Sequence, residues 1–99
     1  IISPNAYVSK HASIGNGVII MHNAIVNVKA SIGDNCIINS KALIEHDCQI
    51  FEHCHISTNA TINGGVTVES GCFIGSGAIT KGLITISKNS FVRAGSLVT

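Results

Sequence analysis

Ninety-nine residues, 45% apolar but only 4% aromatic and 11% charged, with a formal net charge of +1, exclude a nucleic-acid binder that works through charge. No apolar run is long enough to cross a bilayer and no signal-peptide pattern is present, so neither a membrane nor a nucleic acid is an expected partner. What remains is a single domain, 1–99, with no linker and no low-complexity segment.

The elements come in sixes. An aliphatic residue recurs at Ile2, Val8, Ile14, Ile20, Val26, Ile32, Ile38, Ile44 and Ile50, then at Ile56, Ile62, Val68 and Ile74, and finally at Ile86, Val92 and Val98. Thr80 alone breaks the column. Four residues after each aliphatic comes a small or modest side chain, among them Ala6, Ala24, Cys36, Ala42, Cys48, Cys54, Ala60, Cys72 and Ala78. That small residue and the next aliphatic are two apart, so both point to one side of a short strand while the residue between them points out. Each hexapeptide is then a strand plus a corner, and the repeat as a whole is a solenoid. With three strands to a coil, as in known hexapeptide folds, like positions stack every eighteen residues at ~4.8 Å. The chain makes five and a half such coils. No 3.6-residue period competes, so almost no helix is expected.

Three residues after the aliphatic stands the corner. It is Asn or Gly at Asn5, Gly17, Asn23, Asn35, Asn59, Gly65, Gly71, Gly77, Asn89 and Gly95, which accept positive φ readily. His11, Lys29, Lys41, Asp47, His53 and Leu83 are the exceptions. All four cysteines, Cys36, Cys48, Cys54 and Cys72, fall in the small inward position, where core thiols of a reducing compartment are expected. This favours a cytoplasmic protein.

The outward residue before each aliphatic sorts into three columns. Ile1, Ile19, Ile37, His55, Phe73 and Phe91 form one, and Tyr7, Ile25, Leu43, Thr61, Ile79 and Leu97 a second. The third, Ser13, Ser31, Gln49, Thr67 and Thr85, is polar. Two apolar faces on one prism suit a heterologous contact that closes into a ring, and a homotrimer is the natural closure.

The richest polar cluster is Glu45-His46-Asp47, followed by Glu52-His53-Cys54-His55. Eighteen residues after His46 comes Gly64, and Gly82 follows one coil later. Imidazole titrates near neutrality, so His46 can take a proton from an amine or hydroxyl while Asp47 orients the ring. A bare N–H at Gly64 can stabilise a developing oxyanion. No two of the five histidines are separated by a multiple of eighteen, so no metal site is expected.

From Ile44-Glu45-His46-Asp47-Cys48 to His55-Ile56-Ser57, and again over Phe91 to Thr99, the chain resembles the bacterial sugar acetyltransferases of the hexapeptide-repeat superfamily. The sialic acid O-acetyltransferase type and the N-acetyltransferases of UDP-linked 4-amino sugars are the nearest of these. The resemblance implies an all-β fold, a left-handed parallel β-helix, although parallel crossovers are normally right-handed. It implies a homotrimer with sites between subunits and acetyl-CoA as co-substrate. It puts the general base at His46 and its acid partner at Asp47. His55, Gly64, Ser76 and Ala94 fall on residues that contact acetyl-CoA, and Asn39 on the sugar side. It also implies an N-terminal nucleotide-sugar-binding domain and a C-terminal end outside 1–99, so the chain is expected to be part of a longer protein. The leading function is direct acetyl transfer to an amino or hydroxyl group of a bacterial, nucleotide-linked sugar. The alternative is a non-catalytic trimeric solenoid serving as an oligomerisation or binding module.

Overall fold

The computed structural model describes residues 1–99 and contains sixteen strands of two residues each, with no helix. The strands fall into three all-parallel sheets, each built from every third strand. One sheet of six strands carries Tyr7–Val8, Ile25–Val26, Leu43–Ile44, Thr61–Ile62, Ile79–Thr80 and Leu97–Val98, and forms the Leu43 face. The Gln49 face and the His55 face have five strands each. In every pairing the partner residue is eighteen positions away, as in Leu43 with Thr61 and Ile37 with His55. The molecule is therefore a three-sided parallel β-helix, 31 × 20 × 19 Å.

The hexapeptide phase decides what fills the prism. A core of 22 buried residues consists only of the aliphatic and small inward positions, from Val18 to Ile86. Cys36, Cys48, Cys54 and Cys72 are all buried in it as free thiols. Thr80 is the one polar side chain in the aliphatic column, and it is buried as deeply as its neighbours, at 1% exposure. No helix of the chain is long and apolar enough to cross a membrane.

The corners follow the sequence with two departures. Lys29, Lys41, Asp47, His53 and Leu83 adopt positive φ of 60–63° although none is Gly or Asn, so position in the coil overrides residue preference. Asn5 and His11 do not. At those corners the hydroxyls of Ser3 and Ser9 accept the N–H of Asn5 and of His11, both at 3.1 Å, and a hydroxyl-closed turn replaces the left-handed one.

One rung of the ladder is irregular. Every other strand pairing matches both residues, but between Thr61–Ile62 and Ile79–Thr80 only Thr61 and Ile79 pair. The step lies one coil above His46.

Candidate functional site

Glu45, His46 and Asp47 make the corner between the Leu43 face and the Gln49 face. The Asp47 N–H donates to Val28 O (3.1 Å), and the left-handed backbone at Asp47, φ 60°, turns the chain there. His46 Nδ1 lies 3.0 Å from Asp47 Oδ2, with the two side chains 59% and 58% exposed. With the carboxylate accepting at Nδ1, the proton of a neutral ring sits on Nδ1 and Nε2 carries the free lone pair. Glu45 is occupied elsewhere: its Oε1 accepts from Asn27 Nδ2 at 2.9 Å.

The free edge of the ring meets glycine. A Cβ placed on Gly64 would lie 2.5 Å from His46 Nε2 and 2.7 Å from Cε1, so only glycine lets the ring lie where it does. Gly65 N–H donates to His46 O and Leu83 N–H to Gly64 O, both at 3.0 Å, while the Gly64 N–H has no partner in the chain. Above Gly64 stands a second glycine, Gly82, where a Cβ would come within 3.3 Å of Gly64 O, so neither level puts a side chain over the imidazole. A base, an orienting acid and an unpaired N–H therefore share one corner.

The remaining residues singled out from the sequence lie elsewhere on the same chain. Asn39, Ser76 and Ala94 belong to the corner between the His55 face and the Leu43 face, with Ser76 and Ala94 stacked and exposed. His55 is half-buried on its own face, its ring edge-on to Phe73 at 5.2 Å and 86°. Asn39 and His55 are joined, Nδ2 to Nε2, at 3.2 Å. The sense of that bond is settled by Asn39 Oδ1, which accepts the Ser40 N–H at 2.8 Å, so the amide nitrogen must face the ring. One chain thus brings together His46, Asp47 and Gly64, and separately Asn39 and His55. It does not join the two groups.

Two residues near His46 carry contacts that spacing did not assign. Asn63 donates its N–H to Thr80 Oγ1 (3.0 Å) and its Nδ2 to Thr80 O (2.8 Å). The signal was present in the sequence as the single gap in the aliphatic column, at Thr80. A shallow polar groove of about 460 Å³, lined by Ser31, Asp34, Gln49, Phe51, Glu52 and His53, opens on the Gln49 face and contains none of the residues above. No three His, Cys, Asp or Glu side chains converge as a metal site would require.

Residues 29–64 and 47–82 match the bacterial transferase hexapeptide (six repeats) family. No curated protein sequence matches the chain significantly. Among solved structures, PerB from Caulobacter crescentus in complex with CoA and GDP-perosamine is 37% identical, with a TM-score of 0.98, over 99% of this chain and 47% of that one. A histidine-to-asparagine mutant of perosamine N-acetyltransferase from Caulobacter crescentus, with the same two ligands, is 36% identical, with a TM-score of 0.98, over 99% and 47%. The acetyltransferase domain of PglB from Neisseria gonorrhoeae, in complex with acetyl coenzyme A, is 31% identical, with a TM-score of 0.94, over 98% and 49%. The chain spans about half the length of these structures. The family match covers more than half the chain and agrees with the three-sided coil of hexapeptides, so the chain is a left-handed parallel β-helix that belongs to the bacterial transferase hexapeptide family.

Proposed function

We propose that the chain is the acyl-transfer part of an acetyl-CoA-dependent sugar acetyltransferase, with His46 as general base. One observation carries this reading: Nε2 of His46 is free and lies against Gly64, whose N–H is also free, while Nδ1 is held by Asp47. Acetyl-CoA supplies an acyl group activated as a thioester. Nε2 accepts the proton of the attacking amine or hydroxyl as the new N–C or O–C bond forms at the acyl carbon. Asp47 stabilises the resulting imidazolium. The Gly64 N–H donates to the acyl oxygen as charge builds there, and the C–S bond then breaks to release CoA thiol, which receives the proton. Cys48 and Cys54, the nearest thiols, are buried, so the reading takes transfer to be direct.

The residues on the other corner enter through a second copy. We take the protein to be a homotrimer in which the His55 face of one subunit covers the Leu43 face of the next. This brings His55, with Asn39 behind it, to the His46 corner of the neighbour. His55 would then contact the acetyl-CoA end, Ser76 and Ala94 would line the pantetheine arm, and Asn39 would lie towards the sugar. The relatives that hold GDP-perosamine support a nucleotide-linked amino sugar as acceptor. The free core thiols agree with a cytoplasmic location.

The test is CoA-thiol release by the intact protein with acetyl-CoA and a panel of nucleotide-linked amino sugars and sialic acids. Release with one acceptor, lost in His46→Ala, is the expected result. Release that persists in His46→Ala removes the residue from the mechanism, and failure to bind acetyl-CoA at all removes the transferase.

A further inference from the structure

A buried hydroxyl in an aliphatic column must find a partner. Thr80 Oγ1 finds the Asn63 N–H. In regular coils the N–H at this position goes to a backbone carbonyl instead, as from Asn27 to Ile44 O (2.9 Å) and from Asn39 to Ile56 O (2.8 Å). The exchange frees Thr80 O, and Asn63 Nδ2 takes it at 2.8 Å.

The consequence falls one residue further on. Asn27, Asn39 and Asn63 occupy the same place in the hexapeptide, directly after the aliphatic. Asn27 Oδ1 accepts the Val28 N–H and Asn39 Oδ1 the Ser40 N–H, each at 2.8 Å, so each amide caps the residue that follows it. Asn63 is drawn away to Thr80, and the Gly64 N–H stays uncapped beside His46 Nε2.

We propose that Thr80 is a positioning residue that holds the Asn63 side chain off the Gly64 N–H and so keeps that donor open to substrate. What the donor is used for rests on the acyl-transfer reading; how it is kept open does not. In Thr80→Val the Asn63 N–H returns to the carbonyl of residue 80 and displaces the amide. The amide then caps Gly64, as Asn27 and Asn39 cap their neighbours.

The experiment compares the intact wild-type protein with Thr80→Val, Thr80→Ser and the double variant Thr80→Val/Asn63→Ala. It reads exchange of the Gly64 amide in 15N-glycine-labelled protein, the melting temperature, and kcat and KM with acetyl-CoA and the acceptor found above. In Thr80→Val the amide is expected to exchange more slowly and kcat to fall by about 10²-fold, with KM little changed and the melting temperature not lowered. Thr80→Ser keeps the hydroxyl and should behave as wild type. Asn63→Ala removes the cap and should restore both exchange and kcat to Thr80→Val. Unchanged Gly64 exchange in Thr80→Val overturns the proposal, as does a loss of kcat that Asn63→Ala fails to restore. If Gly64 exchange slows as expected but the intact protein fails to bind acetyl-CoA, the transferase reading falls and the positioning role stands.

Discussion

His46 and Asp47 are neighbours in sequence but are held by different means. Asp47 is fixed through its backbone, by the left-handed φ of 60° and the N–H to Val28 O, whereas the His46 ring is held at its tip, between a carboxylate and a glycine. Each can therefore be disturbed alone. Asp47→Asn tolerates the same φ and can still accept the Nδ1–H, so it removes charge and little else. Turnover is expected to fall about tenfold, ~1.4 kcal/mol of barrier, with the melting temperature unchanged. Gly64→Ala places a methyl where Nε2 now lies. Because the ring is more than half exposed and its far end is free to swing, the expected result is a fall in kcat of at least ~10-fold with stability nearly intact. A steady-state assay paired with a thermal melt checks both. His46 and Gly64 were legible as neighbours from their eighteen-residue separation once three strands to a coil were taken from known hexapeptide folds. The diversion of Asn63 was not, because it turns on which of two oxygens on Thr80 an N–H selects, and no periodicity records that choice.

At the scale of the hexapeptide, the corner imposes one backbone conformation on whatever residue arrives there. Lys29, Lys41, Asp47, His53 and Leu83 accept it without the freedom of glycine, and Leu83 does so while 86% exposed. A left-handed side-chain-bearing residue costs roughly 1–2 kcal/mol, less for Asn. Leu83→Asn is therefore expected to stabilise the chain by about 1 kcal/mol in denaturant unfolding, against the small loss of the Leu83 contact with Gly65. The positions of these corners were readable from the sequence, and five of the six exceptions behave as the period demands. Asn5 departs from the period, and so does the exception His11: at both turns a serine hydroxyl, of Ser3 or of Ser9, takes the corner N–H.

For the whole molecule, the His55 face and the Leu43 face carry Tyr7, Ile79, Phe91 and Leu97, all exposed in the single chain, while Phe51 and Leu83 are exposed at corners. If copies pack there, Phe73→Glu, which breaks the stacked Phe73–Phe91 pair and puts charge in the contact, should shift the intact protein from trimer towards monomer in sedimentation. The buried Cys48 thiol adds a dependence on pH. Burial raises the Cys48 thiol above its ordinary 9.0, so the folded chain keeps a proton that the unfolded chain releases. Stability is thus expected to decline as pH rises past about 9, and more gently in Cys48→Ala, as followed by chemical unfolding. The count of three faces was borrowed from known hexapeptide folds, but the buried column was plain in the sequence. The left hand of the coil was not, because a repeat of six is the same whichever way the chain winds, and the family supplies it.

Since each strand pairs with the one eighteen residues away, a residue's direction around the axis depends only on its number modulo eighteen, and its height only on the count of turns completed. Length changes are thereby sorted into kinds. Inserting six residues between His46 and Gly64 would leave the core phase intact yet rotate everything downstream by one face, carrying the glycine away from the imidazole. Inserting eighteen would preserve every bearing and only part the two by one storey. A chain built this way can lengthen in whole turns above or below the 46–64 level without re-aiming a single side chain within it.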